Sequence, residues 1–115
     1  MKHQRKIKNF LKHEKQLNTE AYKKAQKMLN KIIKFLIKWN IKKIYLYGSI
    51  LHKNEFNYNS DIDIAIQGIP AKKFAKLWFE IGIKFPIKID LINLDDCDEY
   101  FKNIIKQRGK LIYEQ

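Results

Sequence analysis

Three aspartates stand in stretches whose other residues favour β-strands, where aspartate is normally depleted. Asp61 and Asp63 belong to Asp61-Ile62-Asp63-Ile64-Ala65-Ile66, and Asp90 to Ile87-Lys88-Ile89-Asp90-Leu91-Ile92. On an extended chain, residues i and i+2 project from the same face, so the Asp61 and Asp63 carboxylates lie one pleat apart. Unpaired, they repel and hold on to protons; bridged by divalent cations, they stay ionised. With Asp90 from a neighbouring strand they make an oxygen-rich site of the kind magnesium prefers. Two such ions ~3.5–4 Å apart suit phosphoryl transfer, because together they stabilise the attacking and the leaving oxygen. In that arrangement Asp61 and Asp63 bridge both ions, while Asp90 holds the ion nearest the acceptor and can help remove its proton. Gly48-Ser49 adds a turn with no side chain in the way, a hydroxyl, and backbone N–H groups to hold triphosphate oxygens. Each fragment has a plainer reading alone. D-x-D occurs in surface strands and calcium loops, Gly-Ser pairs are ordinary turns, and Asp90 could pair with Lys88 or Lys42. Their combination is what points to chemistry.

The elements that must position these residues can be read along the chain. From Thr19 to Trp39, apolar residues recur every three or four positions among lysines, which predicts an amphipathic helix capped by Asn18 or Thr19. Ile7, Phe10, Leu11 and Leu17 predict a shorter helical arm over residues 1–18, expected to pack on the same core, with a docking element as the alternative. Lys43 to Tyr47 reads as a buried strand running into Gly48-Ser49, and the period-two run from Asp61 to Ile66 as a strand with one face apolar. Pro70 opens a helix that carries Phe74, Ala75, Leu77, Trp78 and Ile81 inward, and Gly82 ends it. A strand over Ile87–Ile92 follows. Asp96, with Glu99 completing a capping box, starts a last helix that buries Tyr100, Phe101, Ile104 and Ile105 and stops at Gly109, before a short strand from Leu111 to Tyr113. The order implies one α/β (α+β) domain over 1–115. Its helices cover one face of a small mixed sheet of three to four strands, leaving the other face or an edge for chemistry.

The 115 residues suit a single core. One cysteine, Cys97, excludes an internal disulfide and a cysteine-built zinc site, and suits a reducing cytoplasm; with no histidine at a telling spacing, it reads as inert. No stretch resembles a signal peptide or a membrane span. The net charge of +12 would attract a polyanion. Only Arg5 and Arg108 supply guanidinium groups, however, and the lysine, isoleucine and asparagine richness is what AT-rich coding produces, so nucleic acid is not the favoured partner. The acidic run Asp95, Asp96, Asp98 and Glu99 reads as helix capping rather than a second metal site. Tyr45 and Tyr47 flank the turn and could stack a base, although at least one should be core.

Gly48-Ser49, the later Ser60-Asp61-Ile62-Asp63-Ile64-Ala65-Ile66, and Ile87-Lys88-Ile89-Asp90-Leu91-Ile92 together resemble the signature of the minimal nucleotidyltransferases, a group within the DNA polymerase β superfamily. The tail from Ile104 to Glu114 resembles that family's usual ending, so the likeness covers nearly everything from Lys31 onward. The resemblance implies two magnesium ions, a nucleoside triphosphate substrate such as ATP, and transfer of its nucleoside monophosphate to a hydroxyl with release of pyrophosphate. Asp61, Asp63 and Asp90 match the metal-binding carboxylates, and Gly48 and Ser49 the phosphate-holding pair. Many small members are antitoxins beside a helical toxin of the HEPN class, some of which attach AMP to a toxin tyrosine. The short chain makes a protein acceptor more attractive than a small molecule, which would need a pocket from a homo- or hetero-oligomer. The other alternative is a protein that keeps the fold and neutralises its partner by binding alone. Relatives commonly carry arginine after Gly-Ser. Here Ile50 and Leu51 follow, leaving the triphosphate to lean on His52 or Lys53, or to bind weakly.

Overall fold

In the computed structural model, which describes residues 2–115, the elements follow in the expected order. Helix α1 spans Lys2–Ile37 as one run of 36 residues. The separate arm and the cap at Asn18 or Thr19 are therefore not realised. Asn18 Oδ1 instead accepts from the Tyr58 N–H at 3.1 Å, and the Thr19 hydroxyl donates to the Lys15 carbonyl at 2.9 Å. Both polar side chains are thus engaged without breaking the helix ladder. The helix ends before Asn40, whose φ of 59° is the left-handed conformation that asparagine tolerates.

The strands are β1 (Lys43–Tyr47), β2 (Ile62–Gln67), β3 (Ile89–Asn93) and β4 (Lys110–Glu114), in the sheet order β3-β2-β1-β4. β1 runs antiparallel to both β2 and β4, whereas β2 and β3 are parallel. A parallel pair needs a crossover, and helix α2 (Ala71–Lys84) supplies it. Ile44, Leu46, Ile62, Ile64, Ile66 and Leu91 face Ala25, Leu29, Ile32 and Leu36 of α1 and Leu77 and Ile81 of α2 in one core. Each fully buried leucine or isoleucine there contributes roughly 1.5–3 kcal/mol.

The helices do not all lie on one face. Helix α3 (Glu99–Arg108) sits on the other, where Ile105 meets Tyr45, Ala65 and Leu94 in a small second core. That face is therefore only partly open. α3 starts from Asp98, whose Oδ1 accepts from the Phe101 N–H at 2.8 Å, and not from Asp96, which lies in a 3₁₀ turn over Leu94–Asp96. Tyr100, expected inside, is 76% exposed. Gly109 ends α3 as the sequence predicts, with its N–H on the Ile105 carbonyl at 2.8 Å. Gly82 does not end α2, which continues to Lys84, and Trp78 points outward at 58% exposure. Leucine and isoleucine at positions 77 and 81 already fill the contact with the sheet.

The first turns of α1 also depart from expectation. Ile7, Phe10 and Leu11 are 57%, 66% and 56% exposed, so this stretch stands clear of the core. It lengthens the molecule to 60 × 31 × 20 Å.

Candidate active site

Antiparallel pairing sets Tyr47 opposite Asp63, and parallel pairing sets Asp63 opposite Asp90. The three residues form a row across β1, β2 and β3 on the face that α3 partly covers. The alternation that buries Ile62 and Ile64 on one side turns Asp63 to the other. Asp61 lies one residue before β2 and is exposed; the Ile62 N–H donates to the Lys88 carbonyl at 2.9 Å, which fixes the start of the pairing.

Burial, then the charges of Asp90 and Asp61, push the Asp63 carboxyl up to about 6. Burial and the same acidic surroundings, Asp90 first and then Asp63, hold the Tyr47 hydroxyl well above the usual phenol range. No ion pair among the described residues involves Asp61, Asp63 or Asp90, rich in lysine as those residues are. An acidic island left uncompensated in a chain of net charge +12 suits an added cation. The donors are all carboxylate oxygens, which suit magnesium. Among the described residues, however, no three acidic, histidine or cysteine side chains converge as a ready-formed ligand cluster. Asp63 and Asp90 are brought into register; Asp61 contributes its charge from the margin.

Gly48 follows β1 directly and opens a 3₁₀ turn over Gly48–Leu51. Its φ of +76° suits glycine, and a Cβ there would collide with Asp63 Oδ2. The turn and the carboxylate are in intimate contact. Ser49 is half-buried beside it, while Ile50 is 2% exposed and belongs to the main core, with Leu51 packed against it. The side chain after Ser49 thus points into the protein, and His52 is the next exposed one. The loop beyond is tied down by Phe56, 3% exposed and edge-on to Tyr22 at 5.8 Å.

Tyr47 is the residue that sequence reasoning underrated. Tyr45 and Tyr47 share a face, but Tyr45 is core while Tyr47 is half-buried beside the carboxylates, its ring edge-on to Phe101 at 6.4 Å. Its place at the end of the strand, immediately before Gly48-Ser49, was the available signal. In the acidic run after β3 helix capping falls to Asp98 alone, and neither Asp96 nor a Glu99 capping box supplies it. Asp95 Oδ2 accepts from the Gly68 N–H at 3.0 Å, Asp98 caps α3, and Glu99 meets Lys102 at 3.5 Å. Cys97 donates its thiol to the Asn93 carbonyl at 3.4 Å, and burial, Asp98 and Asp96 raise its pKa.

Residues 30–115 match the family model described as polymerase beta, nucleotidyltransferase. The chain belongs to that family. The resemblance to the minimal nucleotidyltransferases is borne out by its relatives. A putative protein adenylyltransferase of Methanocaldococcus jannaschii is 34% identical over 70 residues, covering 61% of this chain; the chain spans about half the length of that curated relative, 53%. Among solved structures, a chain of a toxin–antitoxin crystal structure with AMP-PNP is 26% identical with a TM-score of 0.61, covering 75% of this chain and 73% of that one. A chain from the complex of tri-AMPylated Shewanella oneidensis HEPN toxin with MNT antitoxin is 25% identical with a TM-score of 0.56, covering 75% and 69%. No helix among the described residues is long and apolar enough to cross a membrane.

Proposed function

We propose that this protein is a magnesium-dependent nucleotidyltransferase that moves AMP from ATP to a hydroxyl of a partner protein, acting as the antitoxin of a HEPN-type toxin pair. The observation that carries this reading is the register of Asp63 with Asp90, against Gly48 and without any compensating cation. Family membership and the protein-directed relatives support it further.

Asp63 and Asp90, joined by Asp61, would hold the metal. Two magnesium ions, when bound, would neutralise triphosphate charge and stabilise the attacking and leaving oxygens. The Gly48-Ser49 turn would receive the phosphates, since nothing projects from Gly48 and Ser49 offers a hydroxyl. The acceptor oxygen attacks the α-phosphorus and forms the new O–P bond. The bond from that phosphorus to the β-phosphate oxygen breaks, pyrophosphate leaves with the electron pair, and the hydroxyl proton passes to Asp90. Tyr47, kept neutral, would serve as a hydrogen-bond donor to this acidic row.

A second reading has one observation behind it: the three carboxylates do not converge on their own. A protein of this fold could then neutralise its partner by stoichiometric binding. The test is incubation with radiolabelled ATP, magnesium and the product of the adjacent gene, comparing wild type with Asp61→Asn/Asp63→Asn. Label on the partner that falls at least ~100-fold in the variant, with the complex still formed, supports transfer. A tight complex that never acquires label from any nucleoside triphosphate would leave only the binding reading.

A further inference from the structure

The seam that buries α1 in the body runs through Leu36, Ile32, Leu29 and Ala25. Carried toward the N-terminus at the same steps of three and four, it passes Ala21, Asn18 and Glu14 and arrives at Leu11 and Ile7. Here the seam is uncovered. Ile7 and Leu11 are more than half exposed, as is the adjacent Phe10, and no element among the described residues packs on them. This stretch also precedes the family match, which begins at residue 30. A helix of this length without a packed face is marginal in water, since short helices draw most of their stability from burying an apolar stripe.

The flanks of the uncovered seam have one sign. Lys6, Lys8 and Lys15 flank it, with Arg5 and Lys12 nearer the opposite face, while Glu14, the single acid between residues 5 and 15, falls on the seam itself; no ion pair among the described residues uses these cations. A second copy laid along this face would set lysine against lysine. A nucleic acid would engage the lysines and leave Phe10 and Leu11 in water. We propose that this face of α1 docks an acidic amphipathic helix of a partner protein, whose apolar stripe covers Ile7, Phe10 and Leu11 while its carboxylates meet the flanking lysines. This is helix-on-helix recognition with apolar anchors and a charged rim. The face ends at Lys15, Asn18 and Thr19, which line a cleft of about 380 Å³ with Lys53 and Asn54 of the loop after Ser49. A helix seated there stands beside the loop that follows the Gly48-Ser49 turn. The inference does not depend on nucleotidyl transfer.

The experiment measures fluorescence anisotropy of three labelled probes with the full chain. They are a synthetic helix with a leucine heptad seam flanked by glutamates, the same helix with lysines for glutamates, and an RNA duplex. Phe10→Asp/Leu11→Asp and Lys6→Glu/Lys8→Glu alter only exposed side chains, and circular dichroism checks that both remain helical. The acidic helix is expected to bind wild type, at least ~10-fold more weakly to the lysine variant, and not detectably to the apolar variant, each tenfold step being about 1.4 kcal/mol. Three results would each overturn the proposal. The lysine helix could bind as tightly; wild type could sediment as a dimer while Phe10→Asp/Leu11→Asp sediments as a monomer; or only the RNA could bind, unaffected by that variant.

Discussion

The Asp63 carboxylate occupies the space that a side chain at Gly48 would need. The turn after β1 and the acid on β2 therefore constrain each other. Gly48 also has a φ of +76°, so Gly48→Ala combines backbone strain with a collision. The substitution is expected to lower unfolding free energy by about 1–3 kcal/mol, read from denaturant midpoints, and to displace Asp63. Gly82→Ala is the control. Nothing lies within 4 Å of a Cβ there, inside an exposed helical turn, so it should stabilise by roughly 0.5–1 kcal/mol. Equal effects at the two glycines would remove the basis for linking Gly48 to Asp63.

Stability without metal should fall as pH rises from about 4 to 6. The folded-state pKa of Asp63 is raised from an ordinary 3.8 to about 6, so between these values the folded protein binds more protons than the unfolded chain. The stabilisation is complete below the unfolded pKa and is lost as pH passes the folded one. Chelated protein should show this decline in melting temperature, Asp63→Asn should flatten it, and magnesium should flatten it by keeping the carboxylate ionised. A profile in Asp63→Asn identical to wild type would move the effect to another group.

Ile50→Arg should not supply the arginine that the family resemblance leads one to expect after Gly48-Ser49. Ile50 is 2% exposed and lies in the main core, so a guanidinium there would be buried without a partner. Destabilisation of ~3 kcal/mol or more is expected, visible as loss of soluble folded protein, whereas His52→Arg at an exposed position should be tolerated. Tighter nucleotide binding by a stable Ile50→Arg protein would show that this turn is arranged differently.

Asp98→Ala should cost about 0.5–2 kcal/mol, the usual worth of an N-cap. Asp96→Ala should cost less, because Asp96 makes only a 3.4 Å contact with Asn93 Nδ2. Urea denaturation of the two variants separates them, and a larger loss at Asp96 would reverse the assignment of the cap.

Much of the site was legible because period-two alternation fixes which face a strand residue takes. Ile62 and Ile64 had to be buried, so Asp63 had to face the other way. What alternation within one strand does not encode is register. That Asp90 lies beside Asp63, and Tyr47 opposite it, follows from pairings set by the β2–α2–β3 crossover and the β1–β2 loop. Asp61 fell at the strand's margin because pairing starts only at Ile62. Helix limits were misjudged where two residues could serve as caps. Asp98, not Asp96, won at α3, and Asn18 and Thr19 lost their capping role because the loop and the helix backbone took up their polar groups. Trp78 was misplaced because apolar spacing on α2 offers more residues than the sheet contact accommodates.

β4 lies along the side of β1 away from β2, and the Gln115 N–H closes onto the Lys42 carbonyl at 2.8 Å. During translation, β1 can find β2 soon after both emerge, but its other edge stays bare until residues 110–115 have left the ribosome. Helix α3 can already seat Ile105 on Tyr45, Ala65 and Leu94 by then, since none of these belongs to β4. A ribosome stalled short of residue 110 would therefore carry the Asp63–Asp90 pair on a sheet whose β1 edge still lies open to pairing with another strand.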